Sequence, residues 1–431
     1  MRSLLEALPG ADLPDVEGEA ELPAVPLVPP DDDDLIRPAV EEELERFGEG
    51  ALSERRASPL AKHLLWTFGP EHRALPFMLQ LRCEVEDDRL VTVDPEVGWL
   101  HQGLEKSLEF TPWDEVVHRL ERLHPSNPVG HQLAWLLAVE RLCGLDEEIP
   151  PRAQLWRVVV AELSRIVEHL RLLAGLVLGH ARRGSQRAFA QAGRRVDTLL
   201  EIAARVDGRP RPVLGGIDGD IDASLVSTLR HNLPDALSAV QEFAERQKKN
   251  PALLVGLRGL GALGRRAALS YGISGPALRA AGVVDDVRLS DPYFAYDDLV
   301  PRVHVREAGD THARFEVRLD EVFASSALIL RALAAFEERG GPLKLDDDAL
   351  PLEDGRLAPA AGLSVASAEL PSGELSFLVE SEGGPCPSRV RVRTPSFFLA
   401  AALSRVLVGA RLDEVVPVLL SLGLVGTEVD R

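Results

Sequence analysis

Glu121-Arg122-Leu123-His124-Pro125-Ser126-Asn127-Pro128-Val129-Gly130-His131 sets two imidazoles and an amide in a short stretch, directly ahead of an apolar run. Imidazole nitrogen binds borderline metals, so the spacing of His124, Asn127 and His131 raises a metal site. Asparagine is a poor ligand for soft metals, and no thiolate lies close in sequence. A second reading is a capped loop: Asn127 or Ser126 caps a helix starting near Pro128, and His131 packs on its first turn.

Other polar groups fall at helical spacing. Glu162, Arg165 and His169 stand at i, i+3 and i+7 within an apolar stretch, so they share one face of a buried helix. Buried charges need partners, which implies an ion network or a proton path. His101 and Glu105 stand one helical turn apart and are expected to form a buried pair. Arg391 and Arg393 alternate along a strand, on a solvated or interface face.

The bulk composition removes several classes. A formal charge of −20 over 431 residues argues against nucleic acid and against adhesion to anionic lipid, both of which need a basic face. Cys83, Cys143 and Cys386 are isolated, so a disulfide framework, a thiolate zinc site or an iron–sulfur cluster held by this chain alone is not expected. The apolar stretches near Leu172–Leu178 and Phe397–Leu403 are too short to span a bilayer, and nothing reads as a signal peptide. The expectation is a reduced, cytoplasmic protein without a membrane span.

The elements that position these groups follow from periodicity. Residues 1–60 begin acidic and proline-rich, "ADLPDVEGEAELPAVPLVPPDDDD", a tail or linker followed by a short helix at "EEELERF". Residues 61–431 form the folded domain. Leu79, Leu81, Cys83 and Val85 alternate with polar residues up to Asp87-Asp88, a β-hairpin signal. Helical patterns dominate from Gly98 to about Gln247. One helix begins at the prolines of "PPRAQLW" and runs about nine turns to "GHARR", apolar on most sides and therefore central. Another runs through "FAQAGRRVDTLLEIAARV" to Gly208 and Pro210. "GISGPALRAAG" is a glycine-rich loop, a helix covers about Gly309 to Glu338, and "GELSFLVESEGGPCPSRVRVRTP" reads as two strands around a Gly-Gly turn. The fold class is mainly α with α+β character: a long-helix bundle with small N-terminal and C-terminal β elements.

Six segments, in order, carry a family resemblance. The 121–131 segment fits without a gap the frame E-R-x-C-G-x-C-x-x-x-H of the large subunits of energy-converting nickel–iron hydrogenases, with His124 and Asn127 at the cysteine positions. "FGPEHRALP", "VGWLHQGLEK", "PPRAQLWRVVVAELSRIVEHL", "YGISGPALRAAGVVDDVRLSDPYFAYDDL" and "RVRTPSFFLAAALSRVLVGARLDEVVPVLLSL" resemble the same group and its relative, the D subunit of NADH–quinone oxidoreductase (respiratory complex I). The ending "GTEVDR" resembles the complex I ending; the hydrogenases carry D-P-C-x-x-C there.

The resemblance implies a hydrogenase large-subunit-like fold without a nickel–iron centre, since His, Asn, Val and Glu cannot stand in for four thiolates. It implies a peripheral subunit at the cytoplasmic face of a proton-translocating membrane assembly, docked on an iron–sulfur subunit, a C-like subunit and membrane-arm subunits. Electrons would pass from the partner's iron–sulfur cluster to quinone near His72, His124, Asn127 and His131. Arg122 matches an arginine that raises the cluster's potential; otherwise it is a helix-end arginine paired with Glu121 or Glu140. His72 faces the pocket by resemblance, or is an exposed loop histidine. The family's quinone-holding His and Tyr fall at Pro76 and Pro125, which carry no donor. His101-Gln102-Gly103 replaces H-R-G, and Asp218-Gly219 replaces R-R. The alternative implied by these departures is a structural, redox-inactive or non-quinone member of a divergent complex.

Overall fold

The sheet nearest the N-terminus begins with β1 (Lys62–Phe68), β2 (Leu79–Glu86) and β3 (Arg89–Glu96), antiparallel in that order, in a computed structural model describing residues 62–69, 78–177, 183–204, 211–249 and 251–431. The expected tail, the "EEELERF" helix, His72 and Pro76 lie outside the described residues. Leu79, Leu81, Cys83 and Val85 are buried, and Cys83 sits between Leu64 and Val93 across the sheet. Asp87 and Asp88 take φ of 46° and 72°, the two positive angles that a two-residue turn matched to strand twist requires. β1 was not legible in the sequence: "KHLLWTF" lacks an alternation of buried and exposed residue types until its partner is known.

The long helices that follow are α1 (Val129–Cys143), α2 (Pro151–Leu176), α3 (Arg183–Ala204), α4 (Ala223–Lys249) and α5 (Thr311–Glu338). α2 is the centre, with Leu155, Trp156, Val158, Val159, Val160, Leu163 and Ile166 all fully buried. It starts at proline as expected, but spans 26 residues, about seven turns, instead of nine. Arg183 opens the next helix; an apolar run with no proline or capping signal gives no stop to read. α5 starts one residue after Asp310, whose carboxylate accepts from Ala313 N at 2.7 Å.

A second sheet has the order β6 (Arg389–Arg393), β5 (Gly373–Ser381), β4 (Gly362–Leu370). β5 and β6 are the two strands expected around the Gly-Gly turn; β4, "GLSVASAEL", is additional, its small residues giving weak strand propensity. Trp135 of α1 packs edge-on against Phe377 of β5, centroids 5.6 Å apart, and stacks at 6.1 Å on Trp113. The chain closes with α6 (Val415–Leu422) and the single turn α7 (Gly426–Val429). Among the described residues no helix is long and apolar enough to cross a membrane.

Candidate functional site

The 124–131 loop lies between α2 and the C-terminal turn. Asn127 does not cap α1, whose N-cap is Pro128 without a side-chain bond. Its amide turns inward to α2: Nδ2 donates to the Ser164 carbonyl at 3.0 Å, and Ser164 Oγ donates back to Oδ1 at 2.7 Å. A buried amide is better satisfied by a group offering both donor and acceptor than by a helix end open to solvent. Ser126 likewise serves another partner, accepting from Arg171 at 2.7 Å.

The two histidines each face a carboxylate. His131 Nε2 is 2.9 Å from Glu428 Oε1, and Ser396 donates to the other oxygen. Burial pushes the Glu428 carboxyl up, yet His131, His124 and Ser396 outweigh it and hold it below the usual range. His124 Nε2 lies 3.6 Å from Glu168 Oε2, and burial holds His124 below the usual histidine range. The imidazole centroids are 5.9 Å apart. With Asn127 tied to Ser164 and each imidazole facing its own carboxylate, the three do not converge on one point. Among the described residues no group of three or more His, Cys, Asp or Glu is arranged to hold a metal ion. A nickel–iron centre does not fit this donor set, which offers no thiolate.

The loop is a partition. Pro125, Ser126, Asn127 and Pro128 line an open cleft of about 730 Å³, floored by Trp113, Trp135 and Leu136 and edged by Asp114, Glu121 and Asp197. On its other side His124, Asn127, His131, Glu168, Val425 and Glu428 line a small cavity of about 10 Å³. Arg122, in the turn of 3-10 helix just before His124, is exposed and has no ion-pair partner among the described residues. The pairing with Glu140 is ruled out by geometry: Glu140 is buried and held by Arg157 through two bonds of 2.7 and 2.6 Å.

Glu162, Arg165 and His169 do form a buried network. Glu162 accepts from Tyr296 at 2.6 Å and Arg288 at 2.9 Å, with Ser325 on its other oxygen. His169 Nε2 donates to Glu321 at 2.8 Å while its Nδ1 accepts from the Arg318 guanidinium at 3.2 Å, which fixes a neutral tautomer. Burial takes His169 down to about 4. Arg279 bridges Glu321 at 2.9 Å and Glu369 at 2.8 Å. Arg165 adds bonds to the Glu369 and Leu370 carbonyls, tying α2 to β4.

His101 and Glu105 are not a buried pair. Gly103, in the left-handed conformation, separates them, and the helix starts only at Leu104. His101 is exposed, with Nδ1 3.1 Å from the Asp430 carbonyl. Glu105 instead accepts from Val392 N at 2.8 Å and lies 3.7 Å from Arg431. Arg391 is exposed and 3.5 Å from Glu105; Arg393 reaches Glu374 at 3.2 Å.

Glu168, Glu428, Arg279, Arg288 and Glu321 were missed by sequence reasoning. Glu168 had a usable signal, one residue before His169 on the buried helix. Glu428 lies in the "GTEVDR" ending, and Arg279 in "GPALRAAG", where only tertiary structure brings them to the site.

Residues 203–431 match the family model described as respiratory-chain NADH dehydrogenase, 49 Kd subunit. The D subunit of NADH-quinone oxidoreductase from Sulfurimonas denitrificans is 28% identical over 395 residues, covering 85% of this chain and 95% of its own. The D 2 subunit of the same enzyme from Sinorhizobium medicae is 31% identical over 394 residues, covering 86% and 96%. A solved structure of the membrane-bound sulfane sulfur reductase, an archaeal respiratory membrane complex, contains a chain matching at TM-score 0.77 and 30% identity, over 86% of this chain and 98% of that one. The mainly helical fold with small antiparallel sheets agrees with that likeness. This chain belongs to the family of respiratory-chain NADH dehydrogenase 49 Kd subunits.

Proposed function

We propose that this chain is a peripheral subunit of a membrane respiratory assembly and takes part in passing electrons from a partner subunit's iron–sulfur cluster to quinone. The assembly would oxidise NADH, and the chain would dock on an iron–sulfur subunit, a C-like subunit and the membrane arm at its cytoplasmic face. Arg122 carries the reading: an exposed cation with no ion-pair partner among the described residues, one residue before a buried leucine and two before His124. A fixed charge left unpaired suits a negatively charged cluster brought by a partner, whose potential it would raise. The cleft along Pro125–Pro128 is large enough for a quinone ring.

A second reading replaces quinone by another acceptor. Pro125 stands where the resemblance puts the quinone-holding tyrosine, and the chain is as similar to a subunit of a sulfane sulfur reductase as to the quinone enzymes. The test is quinone-dependent oxidation of NADH by the purified assembly, with and without Arg122→Ala. Activity that falls on substitution supports the first reading; a wild-type assembly that reduces no quinone leaves the second.

A further inference from the structure

Reducing an acceptor such as quinone consumes protons as well as electrons, and Pro125 has none to give. Directly behind Pro125, two His–Glu pairs face one cavity: His131–Glu428 at 2.9 Å and His124–Glu168 at 3.6 Å, the rings 5.9 Å apart. His131 Nδ1 is fully buried and has no hydrogen-bond partner among the described residues. The cavity, about 10 Å³, has room for at most about one water beside the two rings. A polar contact leads outward: Ser126 Oγ lies 3.3 Å from His124 Nδ1, and Arg171 donates to Ser126 at 2.7 Å and to Glu168 at 2.9 Å. Ser126 is exposed on the cleft side of the loop, and the Arg171 side chain is 40% exposed.

We propose that the His124–Glu168 and His131–Glu428 pairs supply the two protons consumed when the acceptor in the cleft is reduced. The inference rests on the reading of quinone as that acceptor. Quinone takes two electrons, one at a time, from the partner's iron–sulfur cluster. Each imidazole takes a proton from solvent as negative charge arrives in the cleft and passes it on, so one ring N–H bond breaks for each O–H bond of quinol formed and both rings end as they began. Solvent supplies those protons at the exposed edge by Ser126.

The charges around the rings suit the task. Glu168 and Arg171 face them from α2 and Glu428 from α7, while Arg318 of α5 acts on Glu168 from behind. Burial, His131 and Arg171 disfavour the charged form of His124, and Glu168 and Glu428 oppose them without outweighing them. Negative charge arriving in the cleft therefore raises the proton affinity of a group poised to take a proton. The second pair is deeper, and its carboxylate accepts a hydrogen bond from Ser396.

The experiment uses the complete assembly, chemically reduced, freed of reductant, and mixed with decylubiquinone or with ferricyanide while cluster re-oxidation is followed. Ferricyanide takes an electron without a proton. His124→Gln and Glu168→Gln are expected to slow re-oxidation by quinone by roughly 100-fold at alkaline pH, less at acid pH, and to leave ferricyanide unaffected. Imidazole added to a His124→Ala assembly should restore part of the rate, a rescue that a structural role would not give. Arg141→Ala, a surface-pair variant, should match the wild type. Unchanged quinone rates and pH profiles in the Gln variants overturn the inference while the quinone reading stands. A wild-type assembly re-oxidised by ferricyanide but not by quinone overturns both.

Discussion

His131 Nε2 lies 2.9 Å from Glu428 Oε1, joining the first turn of α1 to the last turn of the chain across 297 residues. Neither group is accessible to solvent, so each is the other's substitute for water. Glu428→Ala should cost about 3 kcal/mol, because it strands a buried imidazole and the Ser396 hydroxyl together. Hydrogen exchange of residues 423–431 is the readout; protection equal to that of the wild type would contradict the pairing.

Arg279 is shared by Glu321, Glu369 and Asp286, all buried. Its removal leaves Glu369 without an ion-pair partner among the described residues and takes the nearest arginine from Glu321, while Asp286 keeps Arg288. Arg279→Met should therefore destabilise by roughly 3–5 kcal/mol. Arg141→Ala, which breaks a pair to an Asp291 side chain that is 55% exposed, should change stability by less than about 1 kcal/mol. Denaturant midpoints of the two variants test the contrast.

Acid should loosen the bundle through His169. Its folded-state value of about 4 lies below that of an unfolded histidine, so the unfolded chain binds the extra proton first. The stabilisation is present above about pH 6.5 and is lost as pH falls toward 4. Glu321, held well below the usual carboxylate range despite burial by Arg279 and His169, adds loss in the same direction at lower pH. Melting temperature against pH should show a slope between pH 4 and 6.5 that His169→Gln flattens. An unchanged slope would place the titrating group elsewhere.

Gly275 takes φ of +66° and a Cβ there would meet Gly373 Cα at 2.4 Å. Gly144 has φ of +68° with nothing within 4 Å. Gly144→Ala should cost about 1 kcal/mol from backbone strain alone. Gly275→Ala should cost several times more, since the backbone of the β4–β5 turn must move. Equal losses in thermal melts would contradict that close approach.

The hairpin, the central helix and the buried face of Glu162, Arg165 and His169 were legible because each is written in local period. Asp87-Asp88 marks its turn, and the prolines before α2 mark its start. What local period does not encode is the partner. Nothing near His131 in sequence points to Glu428, and Asn127, a natural cap in isolation, is drawn to Ser164 instead. His101 and Glu105 have helical spacing, but the helix begins between them at a left-handed glycine. β4 is built from alanine and serine, so its identity comes from pairing with β5.

An electron acceptor seated against the Pro125–Pro128 wall of the cleft would lie within reach of a photoreactive analogue. An azido-quinone photolysed on the purified assembly, followed by peptide mapping, tests that placement most directly. Label is expected on the segment from Arg122 to Gln132, suppressed by excess unlabelled quinone. Competed label confined to other chains, with none on this segment, would contradict it.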